Sequence, residues 1–354
     1  MGRRHHYVPK FYLRAFSRDR RRVNLYNLKN ERFVFGASLR DQCYVPRFYG
    51  RDERVETVLA RIEAVAAPLF SKMRDHGAIP GGGTPERDAL VFFIGLQLAR
   101  TTGAQAHSLR MSQLLTEVAF DGRAPERALT PKQSTQIMLS LAPRIATSLA
   151  DLALTLVTSS SDATFATSDD PVFKYNTYCE GLLHAGVTGT QCKGLQLFFP
   201  ISPTKLLLLY DAAVYRLVRA GQRTAMASPQ DVDQLNRLQL VGAAENVYFE
   251  DSTTGRLLGQ AASAAVAIRN ASRPRIVLAI DDADENSELL HQFWPMPQLD
   301  LRLSFITLRP KAQAHPLTMR MRQVRSPYEP VKRYPQGTGE HRRFSVHSEH
   351  EPSE

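Results

Sequence analysis

Residues 195–210 read Leu195-Gln196-Leu197-Phe198-Phe199-Pro200-Ile201-Ser202-Pro203-Thr204-Lys205-Leu206-Leu207-Leu208-Leu209-Tyr210. Two short apolar runs, 195–200 and 205–210, flank a Ser-Pro-Thr punctuation, which predicts two strands joined by a tight connection at 201–204. Working outward, 163–167, 246–250 and 275–280 also read as strands. Residues 228–241 read as a helix, with Ser228 as cap and Pro229 at the first helical position.

Before residue 158 the pattern is helical. Val55, Val58, Leu59, Ile62, Val65, Leu69 and Met73 recur at helical spacing and predict one amphipathic helix over about 53–74. Gly77 and the loop Pro80-Gly81-Gly82-Gly83 end it. Thr84-Pro85-Glu86-Arg87 is a helix start, with Thr84 as N-cap and Pro85 at the first position. Residues 89–98 are apolar on every side, so this helix belongs in the core. Polar residues 121–131 separate it from a further helix over about 131–156. In the first 52 residues, 23–27 and 32–35 read as short extended pieces. Helices first and strands later, without strict alternation, predict an α+β fold. The expected layout is a helical N-terminal half (53–157) packed on a mainly antiparallel sheet from the C-terminal half (158–310). That makes a single domain over 1–310, followed by a basic, aperiodic arm over 311–354.

The chain has 354 residues, 43% hydrophobic and 23% charged, enough for a core that needs no staples. Cys43, Cys179 and Cys192 show no metal-ligand or disulfide-framework spacing. No apolar run is long enough to span a bilayer. The opening Gly2-Arg3-Arg4-His5-His6 lacks the apolar segment of a signal peptide, so a cytoplasmic location is expected. The net charge of +10 is uneven. Residues 1–54 carry +9 and 302–343 carry +8, while 55–301 carry −4. Basic ends on an acidic body favour a polyanionic partner, nucleic acid first.

An internal echo links Tyr7-Val8-Pro9-Lys10-Phe11-Tyr12-Leu13-Arg14 to Tyr44-Val45-Pro46-Arg47-Phe48-Tyr49-Gly50-Arg51, identical at six of eight positions. Packing accounts for the shared residues. It does not account for His5 and His6, which precede only the first copy. Val8 is extended because it precedes Pro9, and Pro9 opens a short helix over 10–16. His6 is thus held on ordered backbone, fit for a general base or a metal ligand, or for a core hydrogen bond. Glu56 and Glu63 stand two turns apart on one helix face, where they could share a cation or simply be solvated. Gln97 and Arg100, with Thr101 beside them, leave the all-apolar helix on one polar face. They are either a buried network or an anion clamp by Arg100. Thr167-Ser168-Asp169-Asp170-Pro171 follows a strand. Asp169 there could ligate a cation or orient a histidine, or the segment could be ordinary turn chemistry. Gly81-Gly82-Gly83-Thr84 lacks the lysine of a phosphate loop, and Asp281-Asp282-Ala283-Asp284-Glu285 lacks the glycine of a calcium loop and reads as a solvated turn.

His6-Tyr7-Val8-Pro9 with Phe11-Tyr12-Leu13-Arg14, Ser168-Asp169-Asp170-Pro171-Val172, and Phe199-Pro200-Ile201-Ser202-Pro203 together resemble the bacterial family catalogued as domain of unknown function 4238. That family is marked by a His-Tyr-Val-Pro start and a later Ser-Asp-Asn-Pro. Glu56, Glu63 and Gln97-x-x-Arg100 match in kind, over about residues 5–250. Asp170 departs, standing where the family pattern has Asn. The resemblance implies that His6, Arg14, Glu63, Gln97, Arg100, Ser168 and Asp169 converge. Such a set would suit metal-assisted phosphodiester hydrolysis of nucleic acid or nucleotides. Magnesium or manganese would sit on Glu63, Asp169 and His6, with His6 activating water and Arg100 stabilising charge. Arg14, Gln97, Ser168 and Asp170 would complete the binding set. The alternative is a non-catalytic nucleic-acid- or anion-binding regulatory module whose buried polar network is structural. A defence or toxin effector directed at nucleic acid is a third reading.

Overall fold

A computed structural model describes residues 4–50, 53–119, 129–182, 186–218, 224–273, 275–281, 284–293, 295–320 and 323–325. In chain order the N-terminal elements are β1 (Arg4–His6), α1 (Lys10–Leu13), β2 (Arg22–Asn27), β3 (Arg32–Ser38) and β4 (Tyr44–Pro46). Helices α2 (Glu53–His76), α3 (Pro85–Ala99), α4 (Thr102–Ala119) and α5 (Pro131–Leu149) follow. Next come β5 (Ala153–Ser159), β6 (Thr167–Ser168), β7 (Phe173–Tyr175), β8 (Gln196–Ser202), β9 (Lys205–Tyr210), β10 (Tyr215–Leu217) and β11 (Ala225–Ala227). The remainder is α6 (Pro229–Gly242), β12 (Asn246–Phe249), α7 (Ser252–Ala271), β13 (Arg275–Asp281), β14 (Asp284–Phe293), β15 (Ile306–Leu308), α8 (Pro310–Gln313) and α9 (Leu317–Arg320).

The class is α+β. A five-stranded sheet runs β11-β5-β9-β8-β7, antiparallel except for the β11–β5 pair. The β8–β9 hairpin turns at Pro203-Thr204, where Ser202 faces Lys205, and a bulge lies between Pro200 and Ser202. A four-stranded antiparallel sheet runs β3-β2-β12-β6. The central strands β8 and β9 of the five-stranded sheet are covered on both faces, so they read as continuous apolar runs and not as alternating ones, whereas the outer strand β3 of the four-stranded sheet is largely exposed. Along β8 and β9, Leu197, Phe199, Leu207 and Leu209 enter one core with residues of α2, α3 and α5. Phe198, Leu206 and Leu208 enter the other, with residues of α6 and α7. Each such buried side chain contributes about 1.5–3 kcal/mol relative to exposure.

The expected layout needs correcting here. Helices are spread through the chain: α6 and α7 close the far face of the sheets, and the N-terminal segment supplies β1 to β4. The helix expected to reach residue 156 stops at Leu149, because Ala153–Ser159 pairs with β9 and its Thr and Val side chains suit a pleated strand. Thr84 and Ser228 cap their helices as their sequences suggest, and Thr130 caps α5 in the same way, each accepting from the backbone N–H three residues on. Within the segment expected as an arm over 311–354, α8 and α9 form, and Arg325 is buried against Asp151. Residues 321–322 and 326–354 lie outside the described residues, as do 121–128 of the polar separator and Asp282-Ala283 of the acidic turn.

Candidate functional site

Strand β1 pairs antiparallel with β4, His5 opposite Val45 and His6 opposite Tyr44, and Tyr7 N–H donates to Cys43 O at 2.9 Å. The residues just before the first copy of the echo therefore pair with the start of the second. The first continues into α1. The second turns away through Arg47 (φ 54°) and Gly50 (φ 99°).

Strand alternation sends the two histidines to opposite faces. His5 is the buried one. Its Nδ1 accepts from Tyr49 N–H at 3.1 Å, its ring stacks on Tyr49 at 5.4 Å, and its Nε2 lies 3.6 Å from Glu56 Oε2. With Nδ1 accepting, the ring proton is on Nε2, directed at the carboxylate. His6, the expected base, instead has Nε2 3.3 Å from Arg40 O. Burial, with the charges of Lys10 and Arg4, lowers its pKa to about 4.

From α3, Gln97 Nε2 donates to Tyr7 O at 3.1 Å, and Gln97 Oε1 accepts from Arg100 Nε at 2.9 Å. Arg100 follows the last turn of α3 and is fully buried, its guanidinium 5.4 Å from the Phe93 ring centre. Its Nη1 donates to Glu63 Oε1 at 2.7 Å, while its Nη2 has no hydrogen-bond partner among the described residues. Glu63 and Glu56 present their carboxylates from α2, each side chain 28% exposed. Tyr49 lies among these groups: burial pushes its phenol well up, Arg100 draws it down, and Glu63 and Glu56 push it up again. Its hydroxyl donates to His6 O at 3.2 Å.

A second polar group adjoins at Thr101. Asp170, which hydrogen-bonds Thr101, is pushed up to about 7 by burial and by the neighbouring Asp169; Thr101 and Lys174 hold it lower than it would otherwise be. Asp169 is 1% exposed. Its Oδ1 accepts from Ala244 N–H at 2.8 Å and its Oδ2 from Glu245 and Asn246 N–H at 2.8 and 3.0 Å. Burial raises it to about 6 against the pull of these amides. Ser168 Oγ donates to Gln239 Oε1 at 2.9 Å. Arg14 is exposed.

Of the seven residues expected to converge, Glu63, Gln97 and Arg100 form one hydrogen-bonded chain with the Tyr7 backbone. Asp169 and Ser168 hold the α6–β12 junction. The side chains of His6 and Arg14 join neither group. Glu63, Asp169 and His6 therefore engage three different partners. Among the described residues no three His, Cys, Asp or Glu side chains are grouped so as to hold a metal ion. His5, Tyr49 and Lys174 were not singled out from the sequence as site residues. Strand alternation along β1 is the one signal that separates His5 from His6. What the cluster offers chemically is a buried guanidinium with a spare donor, its charge paired with a carboxylate that reaches solvent. No helix among the described residues is long and apolar enough to cross a membrane.

Residues 4–253 match the family described as "Protein of unknown function (DUF4238)", well over half of the chain, and the chain belongs to that family. No curated protein and no solved structure matches it.

Proposed function

We propose that this DUF4238 member is an anion-binding module for nucleic acid or nucleotides, in which Arg100 receives a phosphate group. The observation that supports this is the unpartnered Nη2 of a fully buried guanidinium. A buried donor left without a partner costs about 1–3 kcal/mol, a cost that an incoming anion removes. Glu63 is the internal competitor for that anion. A second reading, phosphodiester hydrolysis assisted by magnesium or manganese, draws support from Glu63 beside Arg100 and from the His5–Glu56 pair. In that reading Asp169 holds backbone in position and does not touch substrate.

The test is calorimetric binding of thymidine 5′-monophosphate to the full chain and to Glu63→Gln and Arg100→Gln. Removing the competing charge should tighten binding by roughly tenfold, and Arg100→Gln should abolish it, with the fold of each variant checked by circular dichroism. Failure of both wild type and Glu63→Gln to bind at millimolar ligand would overturn the anion site. Metal-dependent cleavage of a single-stranded oligonucleotide, lost with EDTA and in Arg100→Gln, would move the conclusion to the second reading.

A further inference from the structure

Strand β3 is an outer strand of its sheet and carries two aromatic side chains that the fold leaves open. Phe35 is 65% exposed and Phe33 38%. Their rings stack at 5.9 Å and 19°, and both lean edge-on against Phe249, at 6.0 and 6.2 Å. Tyr26 supports Phe33 from the paired strand at 4.9 Å. Gly255 and Gly259 of α7 face these rings. A Cβ at Gly259 would meet Phe33 at 2.7 Å, so the missing side chain is what lets the ring lie against the helix. The result is a groove of about 420 Å³ between β3 and α7, with Arg256 and Glu31 on its wall.

The surroundings are basic. Arg20, Arg21, Arg22, Lys29 and Arg32 are exposed on this hairpin or its approach, and residues 4–50 carry a net +8. An apolar partner would not need such charge, and a duplex keeps its bases stacked inside. A single strand offers both what the rings can stack on and what the cations can hold.

We infer that the β2–β3 edge is a single-strand nucleic-acid platform, with Phe35 and Phe33 stacking bases while the hairpin arginines hold the backbone. The inference shares with the proposed function the reading that the ligand is nucleic acid, but it does not depend on Arg100. Fluorescence anisotropy with labelled oligothymidylate and oligouridylate tests it, against a duplex and an abasic strand of equal length. Phe35→Ala, at a side chain that packs little, should weaken binding to both single strands roughly tenfold and leave the abasic strand unaffected; Phe35→Trp should restore it. Equal binding by wild type and Phe35→Ala would overturn the platform. So would wild-type preference for duplex, or equal affinity for the abasic strand, either of which would leave a surface read by charge alone. Arg100→Gln separates the two ideas. If it abolishes monophosphate binding and spares the strand, both stand. If no monophosphate binds while the Phe35 dependence holds, only the Arg100 reading falls.

Discussion

Asp170 sets a carboxylate beside a second carboxylate, that of Asp169. Its folded pKa, about 7, lies above the ordinary 3.8, so the folded chain holds this proton more tightly than the unfolded one. Stability from this group is full below about pH 4 and is lost as pH rises towards 7. Asp170→Asn removes the ionisation. It should raise stability at pH 8 by about 2 kcal/mol, discounted because the side chain is partly open to solvent, and change little at pH 4. His6 and His107, both lowered to about 4, act in the opposite direction: their contribution is present above pH 6.5 and lost as pH falls to 4. They are common to parent and variant and cancel in the difference. Urea titrations of both chains at the two pH values make the comparison. No gain at pH 8 would mean that Lys174 already compensates the charge. The neighbouring residue shows what spacing leaves open. Ser168-Asp169 in a turn is compatible with a cation ligand or with amide binding. The choice fell to amides 75 to 77 positions away, which local sequence does not contain.

At the scale of elements, α3 was the most readable segment. Its cap, its proline and its all-round apolar run follow from local rules, and its burial between α2 and α5 follows from that run. Close approach is made possible by Gly95, where an added Cβ would meet Ala146 N at 2.8 Å and Ala146 Cα at 3.0 Å. Alanine gains about 1 kcal/mol of helix propensity over glycine. Here the facing atoms are backbone and cannot step aside, so the clash wins. Gly95→Ala should destabilise by about 1–2 kcal/mol, read as a lower urea midpoint at unchanged slope. A higher midpoint would show that α5 can shift. The same local rules failed at residues 150–156. Leu152, Leu154 and Leu156 suit either a buried helix or a buried strand, and pairing with β9 decided between them.

Over the whole molecule, single polar ties join segments far apart in the chain. Tyr12 OH reaches both Thr167 Oγ1 and Pro200 O, at 2.6 and 2.5 Å, linking α1 to the two sheets. Arg325, 3% exposed, bonds Asp151 Oδ2 at 2.8 Å and Oδ1 at 3.0 Å, and donates to Ser148 O and Cys192 O. It anchors the end of the described chain to the turn between α5 and β5. Arg325→Ala should cost about 3 kcal/mol, since it leaves Asp151 and two carbonyls without their donor. The expected signature is a fall in melting temperature with unchanged single-strand binding. An unchanged melting temperature would show that the C-terminal segment is not held through this residue.

Local order was legible because it rests on local causes: apolar spacing, caps and prolines marked α2, α3, α6 and the β8–β9 hairpin, and Gln97 and Arg100 stood out as polar groups at the end of an otherwise apolar helix, with Glu63 one of two carboxylates on a face of an amphipathic one. Three things were settled only by tertiary structure. Alternation along a strand whose partner lies some forty residues away put His5, and not His6, beside Glu56. Amides from the α6–β12 junction took the carboxylate of Asp169. The second helical layer, α6 and α7, turned a half-covered sheet into one buried on both faces, because those strands carry more apolar surface than one helical layer can cover.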